Sequence, residues 1–252
     1  MQTFELVQTF TDIAQKLHRI EDLKAATTEA VQELGFDYFA ILHHLDLELD
    51  TPGLVRFTNY PDGVVANQLR QKRYADDPIL QASLRSPRGF YWSEVAKIIE
   101  LNERHKAALA FGAREGLGEG YTVPIHVPGE FAGSCSFGLK VGRAIRRESV
   151  AWLHYVGGFA FEAGRRIARA RMGRVQPRIH LSARQLDCLV LMARGSSARQ
   201  AAGKLGIKQD TVQKHIVEAK ARAGVRSMSQ LVVRSLFDGA VTFNDLLDEK
   251  SN

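Results

Sequence analysis

The chain has 252 residues, 45% hydrophobic and 25% charged, and its 34 Lys and Arg outweigh 28 Asp and Glu to give a net charge of +6. That length and apolar fraction suit one or two globular domains with real cores and exclude a low-complexity or fibrous chain. Two well-separated cysteines, Cys135 and Cys188, exclude a disulfide framework, no apolar run is long enough to span a bilayer, and MQTFELVQTF lacks a secretory layout, so a cytoplasmic protein with an anionic partner is expected.

In chain order, Phe4 to Leu17 and Ile20 to Leu34 carry apolar residues at helical spacing. DYFAILHHLDL, from residue 37, alternates apolar and polar residues and predicts a strand. Further strands are expected at Leu54 to Tyr60, Gly89 to Trp92, Gly120 to Ile125 and Gly133 to Lys140, with helices at Asp62 to Tyr74, Pro78 to Leu84 and Leu101 to Glu115. HVPGEFAG between the last two strands favours a turn. A central antiparallel sheet with helices on both sides follows. Val150 to Arg171 reads as one long helix ending in a basic run, and the Gly173 to Pro177 break marks a connection. The boundaries are therefore set at 1–172 for a first domain, 173–180 for a linker and 181–252 for a second domain.

The second domain reads as a helix-turn-helix unit. Gly195 ends one helix, Ser197 caps a short one through Lys204, Leu205-Gly206-Ile207 makes the turn, and Asp210 and Thr211 start the next. Along that last helix Val212, Ile216, Ala219 and Ala223 share one face, leaving Asp210, Gln213, Lys214, Val217 and Lys220 on the other. Such a helix in a DNA major groove can read base edges with Gln213 and Lys214 while neighbouring cations such as Arg199, Lys208 and Lys220 hold phosphates. The basic residues alone also fit a plain helical bundle with a solvated face.

LSARQ, ARG, AAGKLGI, DTVQKHI and ARAGVRS together resemble the effector domain of the LuxR and NarL/FixJ families, a tetrahelical helix-turn-helix, with Thr211, Val212 and His215 on its recognition-helix signature. Gln185 stands where that family usually has Glu, and Lys208 where it often has a Ser-type cap. Upstream, Asn59-Tyr60-Pro61, Asp77-Pro78, Trp92 and GYTVPI resemble, in this order, the autoinducer-binding domain of LuxR-type quorum-sensing receptors, an α/β/α sandwich that binds acyl-homoserine lactones. The resemblance implies an α+β chain: this sandwich, then the all-α domain.

It also implies the site. Asp77 would accept the ligand amide N–H, Tyr60 would donate to the acyl carbonyl, and Trp92 would pack on the lactone or acyl end, with Ala40, Leu42, Ile79, Leu80 and Phe111 as apolar walls. Val64 and Gln68 occupy the places of a family Trp and Tyr, and Tyr74 lies one position from where a further Tyr is usual. Gln68 can still donate, whereas Val64 cannot, and a lost donor to a buried carbonyl costs about 1–3 kcal/mol. The expected signal is thus an N-acyl-homoserine lactone, with aryl or branched acyl groups included. An empty site is expected to be disfavoured by the buried Asp77 carboxylate.

Implied partners are DNA at an inverted-repeat operator, a second copy of the chain joined through the long helix and through Leu231 to Leu236, and RNA polymerase, with no membrane and no cofactor. The alternative is a regulator of the same type gated by a protein partner or acting without ligand. An enzyme is not expected. Adjacent His43 and His44 on an alternating strand point to opposite faces and cannot chelate one metal ion with Asp46, Cys135 sits inside a strand, and Gly116, Gly118 and Gly120 lack the strand-then-helix setting of a phosphate loop.

Overall fold

Alternation of apolar side chains builds β1 (Tyr38–His43), which pairs antiparallel on one side with β2 (Arg56–Thr58) and on the other with β5 (Gly133–Lys140). β4 (Leu117–Ile125) pairs with β5, and β3 (Phe90–Tyr91) with β4, so the five-stranded sheet runs β2-β1-β5-β4-β3 and is antiparallel throughout. The computed structural model describes residues 2–45, 53–71, 77–127, 130–171 and 179–247. Tyr74, Asp46, residue 172 and residues 173–178 of the expected linker lie outside them.

Pleating sends Phe39, Ile41, Phe57, Tyr121, Val123, Cys135, Phe137 and Leu139 to one face of the sheet, all of them buried. That face is covered by α2 (Ile20–Glu33) and α6 (Arg147–Arg171), which pack on each other, and α1 (Gln2–Ala14) packs on both. α6 presses closely here, with Gly157 against Cys135 and Phe137, and Gly164 against Val55 and Phe57. The other face carries α3 (Asp62–Gln71), α4 (Pro78–Ser83), a 3-10 turn at Trp92–Lys97 and α5 (Glu103–Arg114). The first part is therefore the expected α/β/α sandwich.

β1, β2 and β3 are shorter than the alternating runs that predict them, β5 has the expected bounds, β4 starts three residues earlier at Leu117, and the 3-10 turn replaces the end of an expected strand. Trp92 starts that turn because Val95 and Ile99 bury against Ala82 and Phe90 rather than continuing a ladder.

The chain divides into two units, residues 1–126 with 131–175 and residues 176–252 with 127–130. The second is helical: α7 (Ala183–Ala193), α8 (Ala198–Leu205), α9 (Gln209–Ala223), α10 (Met228–Phe237) and a short α11 (Phe243–Leu246). Three of these helices open on the same Ser-x-x-Gln capping box: Ser182 with Gln185, Ser197 with Gln200, and Ser227 with Gln230. Each box satisfies a backbone N–H at both ends of the motif, about 1 kcal/mol for the cap alone. Cys188, Leu189, Ala201, Ala202, Val212, Ile216, Ala219, Leu231 and Val241 form the core.

Candidate functional site

On the sheet face beneath α3 and α4, the register aligns Thr58, Ala40, Ser136 and Thr122 in one row across β2, β1, β5 and β4. Three of the four are hydroxyl residues, and small Ala40 leaves room beside them. Ser136 Oγ and Thr122 Oγ1 are 2.8 Å apart, and Trp92 Nε1 donates to Thr122 Oγ1 at 2.9 Å. The indole packs directly on Gly120 and beside Gly138, so a Cβ at position 120 would overlap the ring atoms. Gly120 thus serves close packing of an aromatic rather than a phosphate.

Tyr60 reaches this row from the end of β2. Asn59 completes the β2 pairing with its side chain, Oδ1 accepting from Phe39 N at 2.6 Å and Nδ2 donating to Asp37 O at 3.2 Å, which turns the chain so that Tyr60 points inward. The Tyr60 ring is buried and meets Tyr38 and Trp92 edge-on at 6.4 and 6.5 Å. Burial, and then the Asp77 carboxylate, hold its phenol well above the ordinary range, with the Ser136 hydroxyl pulling the other way. Tyr60 is therefore a neutral O–H donor placed between a carboxylate and a hydroxyl.

Asp77 caps α4, its Oδ1 accepting from Ile79 N at 2.9 Å and Leu80 N at 3.3 Å, with Pro78 in the first turn. Contrary to the expectation from burial alone, backbone donors already compensate this half-buried carboxylate without a ligand. A carboxylate offers about four acceptor sites, so capping and ligand recognition are compatible.

Ala40, Tyr60 and Val64 form a buried cluster joined by Leu42, Trp92 and Leu117, and Ile79 and Trp92 pack on a second cluster around Phe90 and Val95. Leu80 is buried on α4. Phe111 is half-buried on α5, carries the Arg114 guanidinium 5.6 Å from its ring centre, and belongs to neither cluster. Gln68 falls on α3, and its side chain lies outside the described residues. Thr122 and Ser136 escaped sequence reasoning. Their signal was alternation: two hydroxyls facing a layer where apolar residues would otherwise pack, visible only once the strands are in register.

The other chemistries fall away on geometry. His43 packs on Phe161 of α6 at 4.9 Å while His44 Nε2 meets Ser134 Oγ on the opposite face at 2.9 Å. Cys135 donates to Gly157 O at 3.3 Å, and burial pushes its thiol far above the ordinary range.

In the second unit, Gly206 adopts φ 67° and ψ 31° to join α8 to α9, a left-handed conformation that glycine alone enters without strain. Val212, Ile216 and Ala219 bury against α7 and α8, and Gln213, Lys214 and Val217 are exposed, Val217 by 64%. Arg199 and Lys208 are exposed as well, and Thr211 and Lys220 are half-buried. The cap of α9 is Lys208, which gives no side-chain hydrogen bond, and Asp210 lies in the first turn instead. Gln185 is buried and donates to Glu218 Oε2 at 3.2 Å, so a Glu there would set two carboxylates together.

This architecture has relatives. The model of the autoinducer binding domain matches residues 19–163, more than half of the chain, and that of bacterial regulatory proteins of the luxR family matches residues 180–235. The transcriptional activator protein AhyR of Aeromonas hydrophila is 25% identical over 96% of this chain and 93% of its own, and VanR of Vibrio anguillarum 22% identical over 90% and 94%. Escherichia coli SdiA has the same fold, with a TM-score of 0.68 at 19% identity over 97% of this chain and 99% of its own. A crystal structure of CepR2, an N-acylhomoserine lactone dependent factor of Burkholderia cenocepacia, superposes with a TM-score of 0.52 at 16% identity over 69% and 99%. With a five-stranded sandwich ahead of a helix-turn-helix, the chain belongs to the luxR family of transcription regulators and carries that family's autoinducer-binding domain.

Proposed function

We propose that residues 1–172 bind an N-acyl-homoserine lactone or a close relative, that residues 173–180 link them to the DNA-binding residues 181–252, and that a dimer recognises an inverted repeat. The observation that carries this reading is the convergence of Tyr60, Asp77, Trp92, Thr122 and Ser136 on one sheet face beside apolar Ala40, Leu42 and Val64. An acyl carbonyl needs a donor, and Tyr60 offers a neutral one. An amide N–H needs an acceptor, and Asp77 is within the field of Tyr60. Val64 in place of a donor leaves the lactone carbonyl to other groups, which favours signals whose affinity comes from the acyl side. SdiA of this fold is known in complex with octanoyl-rac-glycerol, so an acylglycerol is a useful competitor.

Asn caps helices about as well as Asp. Asp77→Asn therefore keeps α4 and removes only the charged acceptor. Calorimetric titration of hexanoyl-homoserine lactone should give binding at least roughly tenfold weaker in Asp77→Asn than in the wild type, because a hydrogen bond to a charged group is worth about 1.5–3 kcal/mol. Equal affinity would remove Asp77 from the site. Val64 packing and the Asp77 cap also support a second reading, a regulator that binds its operator without ligand. Undiminished operator binding by protein freed of small molecules would favour it.

A further inference from the structure

The sheet face that carries the Ser136 row has a second polar row one step along the strands. Ser134, two residues from Ser136 on β5, pairs with Leu42 and is buried, and the two hydroxyl positions lie about 7 Å apart along the strand. His44 Nε2 meets Ser134 Oγ at 2.9 Å and Ser83 Oγ at 3.5 Å. Ser83 is fully buried at the end of α4, the helix that Asp77 caps at its start. Six residues of helix separate them, about 9 Å.

α4 therefore bridges two polar clusters, with Leu80 and Leu42 between them. The first matches an acyl amide head. The second has no counterpart in a plain hydrocarbon tail. His44 Nδ1 is buried and finds no hydrogen-bond partner among the described residues. Whichever tautomer the ring adopts, one nitrogen bonds the serines and the other is left as a buried donor or acceptor without a partner. The ring is neutral at physiological pH, since burial, then His126 and His43, depress it to about 4. It can thus offer either hydrogen-bond polarity without the cost of burying a charge.

We propose that the signal carries a second hydrogen-bonding atom, a hydroxyl or carbonyl oxygen about 7 Å from its acyl carbonyl, and that His44, Ser134 and Ser83 bind it. This rests on the lactone reading of the Tyr60 and Asp77 head site and names the acyl class: short and polar-ended rather than long and saturated. Ser83 Oγ also donates to Leu80 O at 2.8 Å, so a hydrophobic tail laid on the same row would leave the His44 Nδ1 deficit uncorrected and use none of the serine hydroxyls' remaining capacity.

The test compares 6-hydroxyhexanoyl-homoserine lactone with its isostere heptanoyl-homoserine lactone on the full chain by calorimetric titration. The wild type should bind the hydroxylated lactone roughly tenfold more tightly, the effect of one buried hydrogen bond. Ser134→Ala and His44→Leu should each erase that preference while leaving the affinity for the heptanoyl lactone within about threefold. Ser134→Ala removes one small hydroxyl and guards against a folding defect in the histidine variant. Equal or weaker binding of the hydroxylated lactone by the wild type, or a preference that survives both substitutions, overturns the inference while the head site stands. Binding of neither lactone overturns the head-site reading and this inference together.

Discussion

His44 shows how much a single ring can report. Its ordinary value of 6.5 falls to about 4 in the folded protein through burial, then His126 and His43, so between those values the unfolded chain takes up a proton that the folded chain refuses. The resulting stability is fully present above pH 6.5 and is lost as pH falls through about 4, with a total of about 3 kcal/mol. His44→Gln should flatten this dependence, which urea unfolding at pH 7 and pH 4.5 would show as a smaller loss in midpoint than in the wild type. A wild type and variant that lose stability equally over this window would mean that His44 is protonated in the fold. Part of this residue was legible from the chain: alternation alone puts adjacent histidines on opposite faces, which excludes a shared metal ion. Its partner Ser83 was not, because 39 residues separate the two and only α4 crossing the sheet brings them together. Thr122 and Ser136 were missed for the same reason, since cross-strand pairing is nonlocal.

Helices were read closely where periodicity and a cap agree. Ser197 and Gly206 bracket α8 as expected because both ends are set by local hydrogen bonds and backbone freedom. The ends of β1, β2 and β3 were read too long, since pairing stops where a partner ends and not where apolar residues end, whereas β4 was read too short at its glycine-rich start. The four-residue α11 and the 3-10 turn at Trp92–Lys97 were not read, being shorter than a helical repeat can reveal. α9 offers a prediction at this scale. Its cap is Lys208, which supplies no acceptor for the first-turn N–H groups, although α7, α8 and α10 all have Ser there. Lys208→Ser should therefore raise the thermal stability of the protein's DNA-binding unit, by about 1 kcal/mol. If Lys208 also holds a phosphate, the same change should weaken DNA binding for all sequences alike and reduce the slope of log K against log salt by about 0.9 per site. A gain in stability with an unchanged salt slope would leave Lys208 as a vacant cap alone.

For the whole molecule, size sets the problem. A lone helix-turn-helix unit covers little DNA, so useful specificity calls for two units on related half-sites. α6 has the surface for a second copy: Tyr155 is 55% exposed, and the Trp152 ring lies 6.0 Å from it on the same stretch of helix. An exposed tyrosine beside a half-buried tryptophan on a long helix is the kind of patch that marks an interface. Tyr155→Asp places a charge there while touching no core contact, so stability should change by no more than about 0.5 kcal/mol. The expected outcome by sedimentation is a dimer for the wild type and a monomer for the variant at the same concentration. Affinity for an inverted repeat should fall to that for a single half-site, while half-site affinity stays unchanged, because the linked second contact and not the groove chemistry is lost. If the wild type already binds one half-site as tightly as two, the units act singly, and the aromatic pair on α6 serves some other contact.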